Sequence, residues 1–338
     1  MEMGSNHKTK TLITIDTEFS IGGHFENNNL KPVSAERHIY CKIGGKEYGI
    51  NLIMDILERY SHRGVFFVET EARFYFGERE ILNIIESILN RGHEVQLHVH
   101  PNFDSFLRKK RLPDDMRTYS IDEQVNIIGD ALAFLSSYGI DSILAYRCGG
   151  FYCNLDTIEA LRRNNIRYSS NYNIAFPNCD YVRKFRLRND IFCIAGVFEV
   201  PITCYREFPI RKRWNSLQVG AASFEEIEKS MFHYFCQGVK VVTIITHPFE
   251  FVRSGDLQYS KMSPKRFVAK RFENICRFLA TNTDKYEVIT YNDLDNLIKM
   301  KKIAPEEKVI EFYKSSMLNT LKRYFENVIF TRLEIWNG

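Results

Sequence analysis

The feature that most restricts the fold of this chain is an alternation repeated along most of its 338 residues. A short β-rich run is followed, again and again, by a segment with helical spacing of apolar residues. The first strand is expected at residues 11–16. After a long loop, Ile50, Ile53, Leu57 and Tyr60 fall on one helical face, and residues 64–69 read as the next strand. Ile81, Ile84, Ile85 and Ile88 mark a second helix, Gly92 stops it, and residues 93–98 return as a strand. Ser120 and Glu123 form a capping box ahead of Ile121, Val125, Ile128 and Leu132. A helix opens at Asn154, and others are led by Ser223 with Glu226 and by Ser263-Pro264. Further strands are expected at 142–146, 166–170, 195–201, 240–246 and 287–290. Parallel strands need such crossovers, so the class is α/β. The expected architecture is a distorted (β/α) barrel of about seven to eight parallel strands over residues 1–303, with an open parallel sheet as the alternative. Beyond 303 the alternation stops. Ile310, Tyr313, Met317, Leu321 and Tyr324 then trace an amphipathic helical extension over 304–338, expected to pack on the barrel. Lys314, Lys322 and Arg323 nearby make a membrane-surface or partner role the alternative.

A chain with 44% hydrophobic and 26% charged residues has enough apolar surface to offset the entropy of ordering, so a globular protein is expected. A formal charge of +4 over this length implies neither nucleic acid nor an anionic bilayer as partner. The N-terminus enters its first strand without the apolar core of a signal peptide, and no run approaches the ~18 apolar residues of a membrane span. The eight cysteines include no Cys-x-x-Cys pair and suit reduced, mostly packed thiols, so a cytoplasmic location is expected.

In both candidate architectures, function gathers where strands end and long loops begin. Residues 17–48, 101–119, 171–192 and 202–222 are loops of that kind. Strand one ends in Asp16-Thr17-Glu18, whose carboxylates, two residues apart, share one face of an extended chain. An isolated Asp-x-Glu is as readily a helix cap or a solvated loop. The third strand ends in His98-Val99-His100-Pro101, and two imidazoles at that spacing suit one metal ion. Zinc takes imidazole nitrogen and carboxylate oxygen, and a catalytic site leaves one position open. Three more strand ends are polar: Arg147 before Gly149 and Gly150, Glu199 before Pro201, and His247 before Pro248. Arg147 and Glu199 forming a buried ion pair is the structural alternative. Together these ends point to a metal-dependent hydrolase.

The ordered set of motifs, spanning roughly residues 10–300, resembles the polysaccharide deacetylases, also called NodB-homology carbohydrate esterases. The resemblance implies a distorted (β/α) barrel that removes acetyl groups from N-acetylated sugars with a divalent metal, usually zinc. It assigns Asp16 as general base, His98 and His100 to the metal, Arg147 to orienting the base, and His247 as general acid. Two departures stand out. The family has an aspartate where this chain has Thr17, for which Glu18 is the natural substitute as metal ligand, and it separates its two histidines by three residues rather than one. Gly92-His93-Glu94 upstream fits the family pattern.

The expected substrate is an N-acetylated sugar of surface polysaccharide or glycan precursor metabolism. Tyr205, Phe208 and Trp214 are loop aromatics available for sugar stacking. The run Arg108-Lys109-Lys110-Arg111 follows His100 and would suit a phosphate on a nucleotide- or lipid-linked sugar, with a solvated loop as the alternative. A hydrolase of a small non-sugar amide would use the same site. Thr17 favours a third reading, a carbohydrate-binding relative without activity. The oligomeric state is left open.

Overall fold

The computed structural model describes residues 7–185, 187–207, 213–305 and 310–336. Its main sheet has nine strands, β1 (Thr9–Thr17), β2 (Val65–Glu69), β3 (Glu94–Val99), β4 (Ala145–Cys148), β5 (Tyr168–Ser169), β6 (Phe192–Ile194), β7 (Val197–Glu199), β8 (Val241–Thr246) and β9 (Tyr286–Val288). They run in the order β8-β1-β2-β3-β4-β5-β7-β6, with β9 beside the first residues of β1. Every pairing is parallel except β6 with β7, so eight strands are parallel, as the alternation requires. The longer helices are α1 (Ile50–Arg59), α2 (Glu78–Asn90), α3 (Ile121–Ser137), α4 (Leu155–Arg163), α5 (Phe224–Cys236), α6 (Arg266–Thr281), α7 (Tyr291–Lys299) and α8 (Met317–Trp336).

β1 shows how the register is set. Ile13 and Ile15 pack with the helices, whereas Leu12 joins Val65, Phe67, Ala145, Tyr168 and Val241 inside the curl of the sheet. Each such side chain contributes about 1.5–3 kcal/mol on burial, and a slip of one residue would reverse every one of them. The apolar positions therefore determine that Thr14 and Asp16 face the interior with Leu12, and that Thr17 faces the helices.

Among the described strands, none pairs β7 with β8, and this is where the barrel is distorted. Loop residues fill the gap. Thr203 N donates to Thr243 O (3.3 Å), Ile245 N to Leu217 O (3.0 Å) and Val219 N to Ile245 O (3.0 Å). Asp190 accepts from the amides of Lys240 (2.9 Å) and Val241 (3.0 Å).

Capping boxes start α3 at Ser120, α4 at Asn154, α5 at Ser223 and α7 at Thr290. Three expectations need correction. Ser263 and Pro264 pair with Arg253 and Val252 in a small hairpin, so α6 begins later, at Arg266. The end of the expected strand at 287–290 is instead the start of α7, because the Thr290 side chain caps it. The terminal helix begins at Met317, not near Ile310; Ile310 and Phe312 are buried outside any helix, and Phe312 meets the Trp214 ring. The helix also docks by its polar face. Arg323 is buried against Tyr205 Oη (3.0 Å) and Glu207, and Glu326 meets Arg271 (3.2 Å), while Met317, Leu318, Leu321, Tyr324 and Phe325 are exposed. No helix among the described residues is long and apolar enough to cross a membrane. The eight cysteines are unpaired, and only Cys193 and Cys236 are exposed.

Candidate active site

The C-terminal ends of β1 and β3 flank that of β2. Glu18, one residue past β1, meets both imidazoles, His98 and His100, at the end of β3. Its Oε2 lies 3.0 Å from His98 Nε2 and 3.0 Å from His100 Nε2. One ligand atom from each of these three residues lies within 4.8 Å of the others, a grouping that fits a divalent cation. The far side of each ring supports the same reading. His98 Nδ1 donates to the Arg147 carbonyl (2.8 Å) and His100 Nδ1 to Asp114 (2.8 Å). A histidine ligand typically donates its other ring nitrogen in this way, which aims the coordinating nitrogen. Thr17, where the family carries its aspartate, lies on the opposite face of β1.

Burial opposes the charge on Glu18, but hydrogen bonds to His100 and His98 outweigh it and hold the carboxyl well below its usual range. On His100 burial again opposes the charge, and Asp114 and Glu18 override it, raising the ring well above the usual histidine value. Glu18 and His100 thus share a proton that a cation would displace.

Asp16 keeps different partners. Its Oδ1 accepts from Arg147, whose guanidinium is fully buried, lies over the Phe67 ring, and also donates to Thr14 Oγ1 (3.1 Å) and Ser170 Oγ (2.8 Å). Asp16 Oδ2 faces His247 Nε2 at 3.8 Å. His247 Nδ1 donates to Glu250 (2.9 Å), and Glu250 is itself held by Thr246 Oγ1 (2.8 Å), the Gly220 amide (3.0 Å) and Gln218. Burial would lower the His247 pKa; Glu250, with smaller contributions from Glu18 and Asp16, raises it to about 9. One side of the cluster therefore carries an oriented carboxylate and an oriented imidazolium.

Of the strand-end residues singled out from sequence, Asp16, Glu18, His98, His100, Arg147 and His247 come together here. Glu199 does not join them. It accepts from Tyr181 Oη (2.7 Å) and from the amides of Asn171 and Tyr172, so the Arg147–Glu199 pair does not form. Asp114 and Glu250 were not singled out. Glu250 had a signal, three residues after His247 on a single turn; Asp114 sits in a long loop with none. Glu69, at the end of β2, was also passed over. It is fully buried, accepts from the Phe19 amide (3.0 Å) and steadies the backbone just past Glu18.

A cleft of about 540 Å³ opens from Glu18 and His100 between the loops after β1 and β3, walled by Phe19, Phe25, Arg111, Phe249 and Tyr259. Of the expected stacking aromatics, Tyr205 is buried under α8, Trp214 packs on Phe312, and Phe208 lies outside the described residues. In the basic run only Arg111 reaches the cleft, where it pairs with Glu26 (2.7 Å). A larger cavity, about 610 Å³ beside α5 and α6, contains none of these residues.

Fold and site together describe a distorted (β/α) barrel whose strand ends carry a Glu-His-His cluster suited to a divalent cation, beside two oriented acid–base groups. The fold is that of the polysaccharide deacetylases. The chain is similar to a Mycobacterium smegmatis protein described as a polysaccharide deacetylase, with a TM-score of 0.55 and 14% identity over 92% of this chain and 97% of that one. It is also similar to a 4-alpha-glucanotransferase from Thermococcus litoralis, with a TM-score of 0.52 and 13% identity over 92% of this chain but 43% of that one. No protein-family model and no curated protein matches the chain. Likenesses this distant speak for the fold, and the chemistry has to be argued from the site.

Proposed function

We propose that the protein is a metal-dependent deacetylase of an N-acetylated sugar, with Glu18, His98 and His100 as the metal ligands. The observation that carries this reading is the separation of partners at the strand ends. Glu18 is committed to the two histidines, while Asp16 is committed to Arg147 and faces His247. A divalent cation, zinc by the donor set, would supply Lewis acidity and lower the pKa of a water.

The protein's own groups account for the proton transfers. Asp16, held by Arg147, takes a proton from the water that attacks the acetamide carbonyl. His247, held protonated by Glu250, gives a proton to the nitrogen as the C–N bond breaks. The products are acetate and a free amino sugar. Arg111 at the cleft wall supports a substrate that also carries a phosphate, such as a nucleotide- or lipid-linked sugar, which would compete with Glu26 for the guanidinium. Unpaired cysteines throughout support a reducing, cytoplasmic setting.

The test is acetate release by zinc-loaded protein from a panel of N-acetylated sugars, free and nucleotide-linked, with metal content measured alongside. Activity on at least one sugar, and loss of both metal and activity in His98→Ala, is expected. One equivalent of metal with no acetate from any sugar would overturn the sugar deacetylase reading and leave the non-sugar amide hydrolase and the non-catalytic binder. Full metal content in His98→Ala would remove that ligand.

A further inference from the structure

The proposed reaction leaves His38 without a role, although the ring is set against the site. It ends a one-turn helix, Ala35–His38, within the long connection after β1, is 4% exposed, and lines the cleft beside Glu18, His100 and Phe249. Its Nδ1 lies 2.8 Å from the backbone oxygen of Glu18. A carbonyl oxygen only accepts, so Nδ1 carries the proton, and in the neutral ring Nε2 presents a lone pair. Among the described residues Nε2 has no partner. Aromatic neighbours hold the ring in place. Phe249 stacks on it at 4.5 Å and Tyr259 meets it edge-on at 4.9 Å. Phe249 also lies 4.8 Å from the His247 ring, so one phenyl group spaces the acceptor from the group that protonates the leaving amine.

We propose that His38 is a specificity-determining residue whose Nε2 accepts a hydrogen bond from a sugar hydroxyl next to the acetamido group. The inference rests on the deacetylase reading and narrows it, because it makes the site prefer hydroxyl-bearing amides to plain ones. A site built to pair with a hydroxyl discriminates strongly against the analogue that lacks it.

The test compares kcat/KM for an N-acetylated hexosamine and its deoxy analogue without the neighbouring hydroxyl, in wild type and in His38→Asn. The asparagine amide reaches the position of Nδ1 and keeps the hydrogen bond to Glu18, but nothing replaces Nε2. Metal content is therefore expected to stay at the wild-type level. Wild type should favour the hydroxylated substrate by about tenfold or more, as one hydrogen bond allows, and His38→Asn should bring the ratio close to one. Because the ratio is taken within one protein, any loss of folded or metal-loaded molecules lowers both rates alike and leaves the ratio readable. An unchanged ratio in an active His38→Asn overturns the role of His38 and leaves the deacetylase reading standing. A wild type that releases no acetate from any N-acetylated sugar overturns both.

Discussion

Asp16, near the end of β1, and Glu18, one residue past it, belong to different halves of the proposed chemistry. Asp16→Asn is expected to keep its metal, since Glu18, His98 and His100 are untouched, while activity falls about 10²–10⁴-fold, the usual contribution of a positioned base. Metal analysis and turnover on one sample decide the matter; loss of metal would make Asp16 a ligand. Arg147→Ala is a poorer probe, because removing one partner of a buried pair destabilises by about 3–5 kcal/mol and confounds folding with catalysis. His247 allows a pH test. As the proposed general acid it would work protonated, and with its pKa raised to about 9, kcat/KM should hold through neutral pH and fall as pH passes about 9. Glu250→Gln removes the charge that raises it, so the alkaline limb should move to lower pH. The same shift gives stability its sign. A histidine raised above its unfolded value of 6.5 adds stability that is fully present below that pH and lost as pH rises through about 9. An alkaline limb that stays in place in Glu250→Gln would detach the carboxylate from His247.

Among the elements, the turn after β4 carries the sharpest steric constraint. A Cβ on Gly149 would stand 2.5 Å from His100 Cε1 and 2.7 Å from its Cγ, and that ring is already tied to Asp114 and Glu18. Gly149→Ala should therefore push His100 aside and weaken zinc binding by about tenfold or more, the scale of a disturbed supporting contact, as read by chelator competition. Unchanged affinity would mean that the ring can give way at no expense to the site. In the sequence Gly149 and Gly150 simply follow the strand end at Arg147; at Gly149 the requirement is space for a neighbour 49 residues earlier, a fact no local pattern contains. The same contrast governs the whole site. Asp16, His98, Arg147 and His247 were legible because each terminates an apolar strand, and alternation along a strand determines which face a side chain takes. Glu69 ends an apolar strand in the same way and carried the same signal, but it was passed over; Asp114 and His38 lie in long connections and their partners lie at strand ends, so no local pattern marked them. Helix starts were legible wherever a side chain caps the backbone, as at Ser120 and Ser223. The terminal helix was misjudged because its apolar periodicity suggested a buried face, whereas Asn319, Arg323 and Glu326 make the contacts with the barrel.

At the scale of the molecule, a cation at this site would join β1 to β3 across β2, so its binding should be read in global stability. Ligand that binds only the folded state stabilises it by about 2.7 kcal/mol at one hundred times its Kd. The increment should depend on pH in a definite direction. Burial disfavours the charged His100 ring, but Asp114 and Glu18 hold its pKa well above the usual value, so at mildly acidic pH a cation has to displace a bound proton. Each step toward alkaline pH removes some of that competition, and the metal-dependent rise in Tm should be larger at about pH 7.5 than at about pH 5.5 for the same zinc concentration. Chelator should reverse the rise at both. His98→Ala should show little rise at either pH, because the two remaining ligands lose the imidazole that completes the cluster. An equal rise in His98→Ala would place the stabilising metal elsewhere on the chain, and a rise that does not grow with pH would mean that His100 is not among the groups the metal displaces protons from.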